Sequence, residues 1–249
     1  MSFWPDGYDR IVLDETDNTM AEAARRAPHL AGPTWIFARH QTAARGRRGR
    51  IWVNPAGNFS ATLVLRPAEP PETVALRSFV AALALYDAIA RVTGRPGLLS
   101  LKWPNDVLVN GGKVAGILLE SSGQGRVIRH LAIGIGVNLA RAPDAGAVEQ
   151  GATPPVSLAE EAGLQIGPEE FLAELAAAYA GWETRFSTYG FAPLREAWLD
   201  RAARLGQVIT ARTGAEEIAG VFETVDKSGA LVLNTANGRR AIPAADVYF

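Results

Sequence analysis

Residues Leu101–Ser121 read LKWPNDVLVNGGKVAGILLES, and this stretch organises the rest of the chain. Leu98–Lys102 has the apolar character of a strand. Trp103 precedes Pro104, so its backbone is pushed to an extended conformation and the chain turns a corner at Asn105 and Asp106. Val107–Asn110 and Lys113–Glu120 then read as the arms of a hairpin across Gly111-Gly112, a favoured two-residue turn. The hairpin brings Lys113 back beside Lys102 and Asp106. Only three of the 25 basic residues are lysines, and two of those three lie in this stretch. An ammonium is a compact point charge on a flexible stem, suited to a single oxygen of a carboxylate or phosphate. The stretch therefore reads as an anion site built on a hairpin, in which Lys102 either binds an anion or pairs with Asp106.

Outward from it, the chain alternates short strands and helices. Strands are expected at Arg10–Leu13, Thr34–Arg39, Asn58–Arg66 and Val127–Asn138. Thr19 and Glu22 fit a capping box at a helix start, with the helix stopping at Pro28. Glu72–Thr93 reads as a long helix ended by Gly94, and Pro168–Ser187 and Pro193–Arg204 as two more. Pro143–Pro155 reads as a polar linker. After Gly206 the texture changes to short strands (QVITAR, EIAGVFETV, ALVLNT, RRAIP) separated by Thr213-Gly214, Ser228-Gly229 and Asn237-Gly238. That pattern predicts a small β-barrel of the SH3 kind. Two domains are expected, residues 1–205 and 206–249.

Composition narrows the chemistry. With 249 residues, 48% apolar and 20% charged, the chain is long enough for a substantial core. A net charge near −1 gives no overall field for nucleic acid. The absence of cysteine excludes disulfides, thiolate zinc sites and iron–sulfur clusters. His29, His40 and His130 lack metal-ligand spacing. The N-terminal MSFWPDGYDR has neither a basic region nor a long apolar run, so it does not read as a signal peptide. Ala75–Ala90 is the most apolar long segment, and Arg77 and Asp87 interrupt it, as in a buried soluble helix. A cytoplasmic protein with no membrane partner is expected.

Two further motifs carry chemistry. RGRRGRIW, Arg45–Trp52, combines glycines that let backbone fold closely around a ligand with guanidiniums that fork onto carboxylate or phosphate oxygens. On its own it reads equally as a nucleic-acid patch or solvated basic loop and as a small-anion site. Like charges within it repel, so binding an anion would order it. GIGVN, Gly134–Asn138, places two glycines inside a strand, which suits a ligand lying flat against the backbone.

The order DNTMAEA (Asp17–Ala23), Gln41, RGRRGRIW, KWPND (Lys102–Asp106), KVAGIL (Lys113–Leu118), GIGVN and a β-rich tail resembles the biotin–protein ligases over essentially the whole chain. The resemblance implies an α/β (α+β) catalytic domain like that of class II aminoacyl-tRNA synthetases, with a mixed antiparallel sheet, plus the SH3-like tail. It implies formation of biotinyl-5′-AMP from biotin and ATP, then transfer of biotin to a lysine of a biotin carboxyl carrier protein. ATP and Mg2+ are the implied cofactors, with the magnesium ligands unassigned, and biotin is the substrate. Lys113, Arg47, Asp106 and Lys102 are implied at the reaction centre. Asn18, Thr19, Gln41, Arg45, Arg47, Lys113, Gly116, Gly134 and Gly136 are implied around biotin. Arg48, Arg50, Trp52, Asn105 and Asn138 are implied around ATP.

The family usually has Ser-Thr-Asn where this chain has Asn18-Thr19-Met20, and Gly where it has Ala44. The first strand begins near Arg10, which leaves no room for the winged helix of repressor-type members, so a monofunctional ligase without DNA binding is expected. Monomer and homodimer are both compatible with the sequence. The alternative on the same fold is a lipoate–protein ligase or octanoyltransferase-like enzyme, against which RGRRGRIW and the tail both argue. A nucleic-acid-binding module is the alternative of a different class, and the arginine loop lacks the interleaved aromatics such a module uses.

Overall fold

A computed structural model of the chain describes residues 3–144 and 152–249, so the linker expected over 143–155 lies partly outside the described residues. In chain order the elements are β1 (Asp9–Thr16), α1 (Thr19–Arg26), β2 (Thr34–Gln41), β3 (Phe59–Leu65), α2 (Pro71–Ala75), α3 (Arg77–Thr93), β4 (Leu99–Lys102), β5 (Asp106–Val109), β6 (Gly112–Gln124) and β7 (Val127–Val137). There follow α4 (Leu158–Ala162), α5 (Pro168–Tyr189), α6 (Phe191–Leu199), β8 (Val208–Arg212), β9 (Glu217–Val225), β10 (Leu231–Thr235), β11 (Gly238–Ile242) and β12 (Asp246–Tyr248).

Strands β1 to β7 form one mixed sheet in the order β1-β2-β3-β7-β6-β5-β4. Only β1 and β2 run parallel, because α1 connects them as a crossover; the other neighbours are antiparallel. Side chains alternate across the pleat and separate two faces. Phe59, Ala61, Leu63 and Leu65 of β3 and Leu131, Ile133, Ile135 and Val137 of β7 point into the main core, where α3 and α5 cover the sheet. Ile36, Val64 and Ala132 point the other way and meet Met20 and Ala23 of α1 and its capping residue Ala27 in a smaller core. Helix α1 covers only part of this second face, and the uncovered part is where the site lies.

Several expectations change in detail. The cap of α1 is Asn18, whose Oδ1 accepts from the Ala21 amide at 2.7 Å; Thr19 is the first helical residue and Glu22 pairs with Arg25 and Arg26 instead of closing a capping box. The hairpin turn is Asn110-Gly111, both at positive φ (49° and 80°), because Gly112 already pairs with Val109. The long helix breaks at Leu76 into α2 and α3, and Gly94 caps it in a left-handed conformation. Pro71–Thr93 is long and apolar enough to cross a membrane by length and composition, yet it is packed inside the protein against α5, α6 and strands β4 to β7.

The C-terminal strands form an antiparallel sheet in the order β11-β10-β9-β8-β12. This corrects the expected barrel: β11 and β12 end as separate edges, so strand pairing does not close the sheet. The two sheets share a continuous core, in which Trp198 packs edge-on against Phe79 and Phe222. Trp103 Nε1 ties the KWPND corner to Gly229 O at 3.1 Å.

Candidate active site beneath the arginine loop

The open part of the second sheet face is floored by the smallest side chains in the sheet. Ser60 of β3, Gly136 of β7 and Gly116 of β6 stand side by side in register, and Thr62, Gly134 and Leu118 form the next row. A cavity of about 520 Å³ lies above this floor. Its walls come from the start of α1, the Gln41–Asn58 connection, the β4–β6 segment and the last residues of β12. Every residue singled out in the sequence lines it except Arg48.

Glycine is required at the floor because other side chains lie directly on it. A Cβ on Gly136 would stand 2.6 Å from Trp52 Cε2, and one on Gly134 would stand 2.7 Å from Met20 Sδ. Gly116 is slightly roomier, with Trp52 Cζ3 at 3.3 Å and Lys113 Nζ at 3.5 Å. The sequence suggested a ligand lying flat on these glycines. In the structure the groups lying flat are the Trp52 indole and the Met20 thioether, so a ligand is held beside them, with their surfaces as walls.

One end of the cavity is neutral and polar. Gln41 Oε1 accepts from the Thr19 amide at 2.8 Å, and Thr62 Oγ1 donates to Thr19 Oγ1 at 2.8 Å. Asn18 Nδ2 reaches Ala43 O at 3.4 Å. Asn18, Thr19 and Gln41 therefore hold one another in place, which fixes donors and acceptors for a small polar ring. Ser60 Oγ and Trp52 Nε1 are buried without a hydrogen-bond partner among the described residues, and both line the cavity. Buried polar atoms left this way are costly unless a ligand or water satisfies them.

The other end is charged. Lys113 reaches it through a β-bulge: Val107 pairs with Ala115 and Leu108 with Lys113, leaving Val114 without a counterpart. Strict alternation would place Lys113 on the core face with Ala115. The extra residue instead puts Val114 in the core and turns Lys113 into the cavity with Gly116. Lys113 Nζ then stands 2.7 Å from Asp106 Oδ1, an ion pair rather than a well-aimed hydrogen bond, and 5.6 Å from the Trp52 ring centroid.

Lys102 pairs with Asp106 through the backbone, but its Nζ donates to Thr153 Oγ1 at 2.6 Å and lies over the Phe249 ring. Pairing of the Lys102 ammonium with Asp106, one of the two sequence-level options, is thus replaced by pairing with Thr153. Burial pushes the Lys102 ammonium below its ordinary range; Asp106 opposes the shift and Lys113 adds to it.

The arginine loop covers this end. Arg47 is the most enclosed of its cations: it donates to Asn105 Oδ1 at 3.1 Å and to Ala245 O at 3.4 Å. Burial lowers its pKa, and Asp246 and Asp106 pull it back up. Arg45 meets Glu120 at 3.2 Å. Arg48, at φ 56°, pairs with Asp246 and does not line the cavity, unlike the other residues expected around ATP. Asn138 lines the wall, but its side chain is engaged inward, donating to Val156 O at 3.0 Å and meeting Asn58 Nδ2 at 3.4 Å. A purine there would meet an amide already committed to the fold. Asn105 Nδ2 is likewise committed, to Ile117 O at 2.6 Å.

Sequence reasoning missed Ser60, Thr153 and Asp246. Asp246 arrives from the C-terminal sheet, and no spacing connects it to the loop it touches. The one available signal was electrostatic, since four arginines in six residues need a carboxylate from somewhere.

Comparison with known proteins follows the same outline. A family model described as the biotin/lipoate A/B protein ligase family matches residues 11–138, and one for the biotin protein ligase C terminal domain matches residues 205–249. The chain is 61% identical over 96% of its length to a biotin–[acetyl-CoA-carboxylase] ligase of Paracoccus denitrificans, covering 99% of that protein. It superposes on the biotin protein ligase of Aquifex aeolicus in complex with biotin and ATP with a TM-score of 0.81, at 26% identity, covering 96% of this chain and 97% of that one. A biotin protein ligase from Leishmania major in complex with biotinyl-5-AMP gives a TM-score of 0.65 at 25% identity, covering 96% of this chain and 100% of that one.

Proposed function

The chain belongs to the biotin/lipoate A/B protein ligase family, and we infer that its reaction is that of a biotin–protein ligase. It activates biotin with ATP and passes it to a lysine of the biotin-accepting subunit of a carboxylase. The observation that carries this reading is the 61% identity to a biotin ligase across almost the whole of both chains. The matched biotin protein ligase C-terminal domain points the same way and sets aside the lipoate alternative. We read residues 206–249 as a distinct C-terminal domain, which is supported by their separate sheet.

The two ends of the cavity suit the two halves of the reaction. Asn18, Thr19 and Gln41 face the ureido ring, with the methylene chain running past Met20, Gly134 and Trp52. The biotin carboxylate then lies beside Lys113, Arg45 and Arg47. In the first step a carboxylate oxygen attacks the α-phosphorus, the bond to the β-phosphate breaks, and pyrophosphate leaves. Two anions must meet, so Lys113 and Arg47 offset their repulsion and the charge growing on phosphorus. Lys102 and Arg50 face the departing phosphates. In the second step the carrier amine attacks the acyl carbon, AMP leaves, and the amine gives up a proton, with Asp106 the nearest carboxylate to orient it. Closure of the arginine loop keeps water from the mixed anhydride.

Asp106 and Asp246 are the carboxylates in the cavity wall, and no group of three or more His, Asp or Glu gathers among the described residues. With so few carboxylates, a magnesium ion here would take most of its ligands from phosphates and water, and Asp106 would be the side chain to hold it in exchange for its pairing with Lys113. The ion neutralises phosphate charge when bound. We place the enzyme in the cytoplasm, free of membrane and nucleic acid.

The test is direct. Purified protein with biotin, ATP, Mg2+ and a biotin-accepting carboxylase domain should give a covalent biotin adduct on that domain by mass spectrometry. Lipoic acid in place of biotin should give none, and a lipoyl adduct instead would overturn the reading.

A further inference from the structure

Four guanidiniums lie within Arg45–Arg50, and the loop carrying them repels itself. Glu120 meets Arg45. The other three converge on a single carboxylate from the other sheet. Asp246 Oδ2 accepts from Arg48 Nη1 at 2.9 Å and from Arg50 Nη2 at 2.9 Å, and Asp246 Oδ1 lies 3.5 Å from Arg47 Nη1. The preceding Ala245 carbonyl accepts from Arg47 as well. The Asp246 side chain is only 13% exposed, so these contacts are screened less than an ordinary surface pair. Its strand β12 is a three-residue edge strand of the C-terminal sheet, paired with β8. Asp246 therefore relieves part of the repulsion among these guanidiniums from the C-terminal sheet.

We propose that Asp246 is a positioning residue for the arginine loop: the C-terminal sheet clamps the loop over the cavity through this one carboxylate, before any anion is bound. The consequence for catalysis rests on the ligase reading, because a clamped loop retains the adenylate that Lys113 and Arg47 help to form. The clamp itself does not. It predicts that loop order depends on the Asp246 charge even without substrate. Asp246→Asn keeps the shape and removes the charge, so the guanidiniums lose their shared partner and repel one another. Arg48 touches Asp246 and does not line the cavity, so Arg48→Gln probes the clamp from its outer side.

Amide hydrogen exchange of the peptide spanning Arg45–Trp52 in the free protein is the decisive measurement. Asp246→Asn should speed exchange there about tenfold, Asp246→Glu should restore protection, and Arg48→Gln should give a smaller increase that vanishes in the Asp246→Asn background. The same variants should release a larger fraction of biotinyl-5′-AMP into solution per adenylate formed. Unchanged exchange in a folded Asp246→Asn protein overturns the clamp. If that variant does not fold, Arg48→Gln decides: faster exchange supports the clamp and unchanged exchange overturns it. Wild-type protein that makes no biotinyl-5′-AMP, yet shows the exchange response, would sink the ligase reading and leave the clamp standing.

Discussion

At the scale of single residues, the cavity is defined by what a position lacks as much as by what it carries. Gly136 and Gly116 both lie under the Trp52 indole, but at different clearances. A methyl on Gly136 would sit 2.6 Å from ring carbon and within 2.8 Å of two more indole atoms, so the ring itself must shift. At Gly116 the nearest atoms are 3.3 Å and more away, and one of them is the flexible end of Lys113. Gly136→Ala should therefore displace Trp52 and weaken biotin binding by about tenfold or more, while Gly116→Ala should weaken it by a few-fold at most, in calorimetric titrations. Equal effects would show that the indole does not wall the site. Lys113 makes the opposite contribution, a charge supplied where it is needed. Lys113→Ala removes one preorganised cation from the reacting oxygens and should lower the rate of biotin-dependent pyrophosphate release by about 10²–10³-fold with the melting temperature nearly kept. Pyrophosphate release at the wild-type rate would remove Lys113 from the reaction centre.

At the scale of elements, the sequence was legible where local rules decide and silent where an irregularity does. The buried run FSATLVL announces β3, Gly94 stops α3, and the positions of Gly134 and Gly136 in one strand mark a floor. The bulge at Val114 carries no such signal, and without it Lys113 would point into the core. The order of motifs was enough to gather the site residues, but not to say which face of β6 each would take, or that the C-terminal sheet would stay open. Helix α1 shows the same limit at its first turn, where Thr19 looked like the cap and Asn18 is. Asn18 accepts from the Ala21 amide and also reaches across to Ala43 beside the arginine loop. The cap and the neutral end of the cavity are therefore one structure. Asn18→Ala should cost about 1 kcal/mol of stability in denaturant unfolding and weaken biotin binding, whereas Asn18→Ser should restore the stability and only part of the affinity, since a serine caps but does not span to Ala43. Full recovery of both would mean that the longer reach of Asn18 plays no part in binding.

At the scale of the whole molecule, the face of the main sheet opposite the cavity sets how the fold responds to pH. Tyr8 meets Tyr179 of α5 edge to face, and Tyr179 donates to Glu183, which in turn binds Arg77 at 2.7 Å. Burial pushes the Tyr8 phenol up to about 12, with the Glu183 charge adding to the shift and Arg77 opposing it; burial likewise raises Tyr179 well above its ordinary value. Phenols in the unfolded chain lose their protons near pH 10. Between about pH 10 and 12 the folded protein therefore binds more protons than the unfolded one, and stability must fall as pH rises through that window. The contribution is fully present below pH 10 and is lost as the folded phenols ionise. Lys102 acts in the opposite sense, because its folded pKa is lowered and the unfolded chain holds that proton longer. A comparison of wild type with Tyr8→Phe isolates the Tyr8 part, since Tyr179 and Lys102 are common to both. The melting temperature of the wild type should drop more steeply than that of Tyr8→Phe from pH 10 upward, by roughly a few degrees at the top of the window, with parallel behaviour below pH 9. Parallel curves across the whole range would show that the Tyr8 phenol ionises in the folded protein as freely as in water, and that Tyr8 packs on Tyr179 of α5 more loosely than their ring contact requires.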